Sequence, residues 1–69
     1  MILKGNKYLI HVWVQGEERL DSDHPSLEEA VKRFEYLKNN WQEIFPDGLT
    51  AIELVDQYFD RMNQFTSFD

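Results

Sequence analysis

The sequence predicts an α+β fold in a single domain spanning residues 1–69: a small antiparallel sheet of two to three strands, followed by two amphipathic helices packed on one face, in the order β-β-(β)-α-α. Three observations carry this. Residues 7–15 alternate apolar and polar, Ser26 opens a helix-capping sequence, and the residues after Asp47 sort into polar and apolar halves at helical period.

In the first strand, Tyr8, Ile10, Val12 and Val14 alternate with Lys7, His11 and Gln15, so that Leu9, His11 and Trp13 fall on the face opposite Ile10 and Val12. Gln15-Gly16 supplies a tight turn, and residues 18–21 return as the antiparallel partner. Gly5-Asn6 is a second turn signal that would fold residues 1–4 back as a third, short strand.

Ser26-Leu27-Glu28-Glu29 is a capping box, in which the Ser hydroxyl accepts from the Glu29 amide and the Glu29 carboxylate reaches back to the Ser26 amide. Leu27, Ala30, Val31, Phe34, Leu37 and Trp41 then share one face, with Glu28/Lys32 and Glu29/Arg33 as favourable pairs outside it. Asn39-Asn40 weakens the helix near its end. Tyr36 lies almost opposite the apolar face and is expected to be exposed.

Phe45-Pro46-Asp47-Gly48 is a turn. Ile52, Leu54, Val55 and Tyr58 beyond it favour a strand. Against that, Thr50-Ala51-Ile52-Glu53 reads as a second capping box, Leu49 and Leu54 stand as a hydrophobic staple, and the polar and apolar halves separate only at helical period, so a helix over 51–64 is expected. Residues 1–6 and 66–69 are expected to fray.

Sixty-nine residues with 42% hydrophobic and 14% aromatic content suffice for one modest core. The absence of cysteine removes disulfides, zinc-thiolate sites and thiol nucleophiles, and makes a cytoplasmic setting the simpler expectation. The N-terminal apolar run Tyr8-Leu9-Ile10, interrupted by His11, is neither a secretory core nor a membrane span. A net charge of -6 opposes direct binding to nucleic acid or to an anionic membrane, because both are held through Lys and Arg.

Between residues 39 and 60 stand five acids, Glu43, Asp47, Glu53, Asp56 and Asp60, and no Lys or Arg. On a helix, Glu53, Asp56, Asp60 and Asn63 form one ridge, facing away from Ala51, Ile52, Leu54, Val55, Tyr58, Phe59, Met62 and Phe65. Carboxylates spaced along such a ridge approximate the spacing of phosphates on a nucleic-acid strand and suit a groove lined by Lys and Arg. Catalytic signals are missing: His11 has no identifiable reaction partner, the Ser and Thr residues lack a nucleophile-elbow context, the glycines form no phosphate loop, and Asp21, Asp23 and His24 are too sparse for a metal loop. No enzymatic activity, cofactor or metal is expected.

Leu37-Lys38-Asn39-Asn40-Trp41 at the end of the first helix, Phe45 after it, and the stretch 58–65 resemble the small acidic phage-encoded anti-CRISPR proteins that inhibit the type II CRISPR nuclease, in which a short antiparallel sheet precedes two helices. The resemblance covers roughly residues 8–65 in order of elements and a handful of residues in identity. It implies acidic side chains that imitate DNA in the groove reading the protospacer-adjacent motif, a role that falls by position to Glu43, Glu53, Asp56 and Asp60. The chain departs from that family in having no preceding N-terminal helix and no dense acidic run between its helices, where Phe45-Pro46-Asp47-Gly48 stands.

The expected function is therefore a non-enzymatic acidic binding module, a phage or mobile-element inhibitor that occupies a basic nucleic-acid-binding protein through Glu43, Glu53, Asp56, Asp60 and Tyr36. The alternative is a homodimeric structural or assembly protein that associates through the uncovered sheet face of Leu9, His11 and Trp13.

Overall fold

The computed structural model describes residues 7–58 and 60–67 and has the element order β1 (Tyr8–Val14), β2 (Glu17–His24), α1 (Leu27–Ile44), β3 (Ala51–Asp56), β4 (Arg61–Thr66). The fold is α+β, as expected, but with four strands and one helix among the described residues. All neighbours in the sheet order β2-β1-β3-β4 are antiparallel. The proposed strand over 1–4 lies outside the described residues.

The first hairpin forms because Gln15 (φ 56) and Gly16 (φ 81) both take the left-handed conformation that a two-residue turn requires for strands of right-handed twist. β1 pairs with β2 from Tyr8↔His24 to Val14↔Glu17, and a bulge at Asp21 shifts the register between Ile10 and His11. β2 is thus longer than the return predicted over 18–21.

α1 begins where the capping sequence places it: Ser26 Oγ accepts the Glu29 N–H at 3.3 Å. It runs through Asn39-Asn40, where the Asn40 side chain donates to the Tyr36 carbonyl at 2.8 Å while Trp41 and Ile44 pack on the core. Ala30, Phe34 and Leu37 are buried against Ile10, Val12, Val14, Leu49, Ile52 and Leu54 in one cluster. Of the predicted apolar face, Leu27 and Val31 remain exposed at its flank.

The predicted helix over 51–64 is absent. In its place β3 pairs with β1 from Tyr8↔Asp56 to Trp13↔Ala51, and a turn returns the chain as β4, with Ala51↔Thr66 and Leu54↔Asn63 in register. β3 is a central strand, and its two sides are both buried: Ile52 and Leu54 toward α1, Val55 away from it. Such a strand shows no clean alternation, so its pattern imitates an amphipathic helix over a short window. Thr66, expected to fray, is paired in β4, and Ser67 donates its N–H to the Thr50 carbonyl at 3.2 Å.

α1 packs on β3, β1 and β2. β4 lies beyond it, and Arg61, Met62, Asn63, Gln64 and Thr66 are all exposed.

Candidate functional site

The acidic ridge does not exist as one surface. Glu53 is the cross-strand partner of His11 on the helix-free side of the sheet, where its carboxylate lies 3.9 Å from Arg61. Asp56 builds the β3–β4 turn: its Oδ1 accepts the N–H groups of Tyr58 (2.8 Å) and Asp60 (3.0 Å), while its own N–H donates to the Asp60 carbonyl at 3.0 Å. Glu43 sits in the last turn of α1, which leads through residues 45–50 to the Trp13–Ala51 end of the sheet, opposite the Tyr8–Asp56 end. Glu43, Glu53 and the Asp56/Asp60 turn therefore point to three different parts of the molecule.

Loss of the second helix also removes the element order on which the anti-CRISPR resemblance rests.

The sheet face of Leu9, His11 and Trp13 is indeed free of the helix, but it is not a bare apolar surface. Leu9 is only 2% exposed and so is withdrawn from contact. His11 Nδ1 lies 2.9 Å from Glu18 Oε2, its side chain 17% exposed, and neither ring nitrogen has a hydrogen-bond partner in good geometry among the described residues. The Trp13 ring stands beside it, centroids 6.3 Å apart. Glu53, Arg61 and Gln64 continue this polar row across β3 and β4, with Arg61 donating to Gln64 Oε1.

On the helix side, the bulged Asp21 receives a two-pronged contact from Arg33, at 2.9 Å from Nε and 3.1 Å from Nη2. Arg33 therefore does not take Glu29 as its partner, whereas the Glu28/Lys32 pair forms as predicted, at 3.8 Å. The hydrogen bond from Asp21 raises the Arg33 pKa above its ordinary value. Ser22 Oγ lies 2.8 Å from Asp21 Oδ2 and 2.8 Å from His24 Nε2. A hydroxyl has one proton, and a carboxylate only accepts, so Ser22 donates to Asp21 and His24 Nε2 donates to Ser22. In that order His24 cannot act as the base toward Ser22, and the one acceptor of the Ser22 proton is the Asp21 carboxylate, which is itself held by Arg33.

The outward face of α1 carries Tyr36 and Glu43, which the sequence singled out for binding, together with Glu29 and Glu35, which it did not. Glu29, Tyr36 and Glu43 are spaced seven residues apart and so lie in one line, each step about 10 Å along the axis, with Glu35 beside them. Tyr36 is 52% exposed, and the Arg33 guanidinium stands 5.4 Å from its ring centre. Glu17, Glu28, Asp21 and Glu53 each have an Arg or Lys within ion-pair distance, and Glu18 lies beside His11. Glu29, Glu35 and Glu43 have no such partner among the described residues. The seven-residue spacing of Glu29, Tyr36 and Glu43 was the signal available in the sequence.

Among the described residues no three His, Asp or Glu side chains are grouped to hold a metal ion, and no helix is long and apolar enough to cross a membrane. Comparison with protein-family models, with curated proteins and with solved structures gave no match.

Proposed function

We propose that this protein is a non-enzymatic acidic module that binds a basic surface on another protein, of the kind that itself binds nucleic acid, through the outward face of α1. One observation carries the reading: three acids without an ion-pair partner among the described residues, Glu29, Glu35 and Glu43, share that face around the half-exposed ring of Tyr36. A rigid helix that offers an aromatic centre and a carboxylate rim suits a groove with an apolar floor and Lys or Arg along its walls. Uncompensated charge on a chain of net -6 steers such a partner from a distance, and the attraction weakens as salt rises. Occupation of the groove competes with nucleic acid for the same cations. A phage or mobile-element inhibitor is the biological setting that this chemistry fits.

The non-enzymatic part of the reading is supported by the proton order at Ser22 and His24. The sheet-face dimer is weakened by the withdrawal of Leu9 and by the polar row that His11 shares with Glu18 and Glu53.

The test is capture from source-cell lysate by the tagged full chain, washed at low and at high salt, with mass spectrometry of the retained proteins. A salt-sensitive nuclease, polymerase or other nucleic-acid-binding protein is expected. Recovery of the chain alone, indifferent to salt, would overturn the reading.

A further inference from the structure

Of the six large hydrophobic side chains exposed among the described residues, four border one edge of the sheet. Met62, 46% exposed, belongs to β4, and Tyr58 stands in the turn that leads into it. Leu27 and Val31 lie on the flank of α1 opposite Arg33. Because Arg33 is held by Asp21 on β2, at the other side of the order β2-β1-β3-β4, that flank turns toward β4.

Charge separates the two edges of the sheet. β2 carries four acids, Glu17, Glu18, Asp21 and Asp23, against one arginine, Arg19, so two copies meeting there would repel one another. β4, with the sequence RMNQFT, carries no acid and one cation. On a molecule of net -6 it is the edge that a second copy can approach at least cost.

The backbone fits this. The bond from Ser67 N–H to the Thr50 carbonyl sets the alternation along β4, in which Phe65 and Asn63 aim their main-chain groups at β3 and Gln64 aims its own outward. The outward Gln64 N–H is held by the side-chain oxygen of its neighbour Asn63 at 2.9 Å, a local plug on an exposed edge.

We propose that β4 is the self-association edge of this protein. Two copies pair β4 with β4, antiparallel, about a two-fold axis at Gln64, whose N–H leaves Asn63 and exchanges hydrogen bonds with the Gln64 of the second copy. Leu27 and Val31 of the two helices face one another on the helix side of the joined sheet. The outward face of α1 is left free, so self-association is independent of the binding proposed above.

Sedimentation of the full chain from micromolar to millimolar concentration tests this, with Gln64→Pro and Met62→Lys alongside. Proline at 64 removes the outward donor without taking a bond from β3, and Met62 lies outside the core, so circular dichroism of the variants should match the parent. The parent is expected to dimerise more strongly as salt screens its net charge, and each variant to raise the dissociation constant at least about tenfold. A parent that stays monomeric throughout overturns the proposal. So does a dimer that both variants leave intact, including one broken instead by Trp13→Ala, which would place the interface on the helix-free face.

Discussion

Arg33 grips Asp21 with two nitrogens, at 2.9 and 3.1 Å, across the seam between α1 and the bulge of β2. The pair is only partly exposed, and removal of either partner leaves the other charge at the seam. Arg33→Ala is expected to lower the unfolding free energy by about 1–3 kcal/mol in urea titration, and Arg33→Lys to recover only part of it, since an ammonium cannot make the forked contact. The sign of the pH effect follows from the raised Arg33 pKa. Its contribution is fully present below the ordinary guanidinium pKa and fades only as pH climbs through the raised value, so Arg33 adds no slope to stability in the neutral range.

Phe34 is 1% exposed at the centre of the core that α1 shares with the sheet. Phe34→Ala should cost about 3–5 kcal/mol, enough to unfold much of a domain of this size at room temperature. Loss of the near-ultraviolet dichroism of the aromatic side chains is the direct readout.

Asp56 accepts two backbone N–H groups and closes the turn between β3 and β4. Asp56→Ala should cost about 1–2 kcal/mol by leaving those donors to water and freeing the turn. Partner capture by the folded fraction should be unchanged, because Asp56 is a structural acid.

Gly16 has φ 81, and a methyl group built there meets nothing within 4 Å. Gly16→Ala is therefore a pure backbone test: a loss of about 1 kcal/mol in the thermal unfolding curve, with no change in core packing, is expected.

Much of this was legible in the sequence, and the rest was not, for reasons that particular residues make plain. Ser26 and the spacing of Ala30, Phe34 and Leu37 define α1 through contacts within a few turns, and Gln15-Gly16 defines its hairpin locally. The segment from Ala51 is different. Thr50 and Glu53 have the spacing of a capping box, but Glu53 is spent on the face shared with His11 and Arg61, and Ile52, Leu54 and Val55 are buried by pairing with a strand some forty residues earlier. A β-branched run buried on both faces has no period of its own, and the long-range pairing with β1 decides it. The site went astray with that element. Tyr36 and Glu43 lie on the element that the sequence predicts, whereas Glu53, Asp56 and Asp60 were assigned to a face that the chain does not make.

Glu43 offers a test that joins stability to the proposed binding. It stands in the last turn of α1 with no basic residue near it in that turn, where a negative charge opposes the helix dipole. Glu43→Gln should stabilise the fold by about 0.3–1 kcal/mol in chemical denaturation while weakening partner capture. That pair of outcomes would assign Glu43 to the binding face proposed above.

The most direct measurement is the affinity of the captured basic protein for the double variant Glu35→Lys, Glu43→Lys, beside the control Glu53→Lys on the other side of the molecule, at two salt concentrations. Binding through the outward face of α1 predicts that the double variant loses the partner and its salt dependence while keeping the parent's circular dichroism, and that the control keeps both. Equal loss in the two variants, or none in either, would contradict it and leave the acids of α1 as a solvated surface.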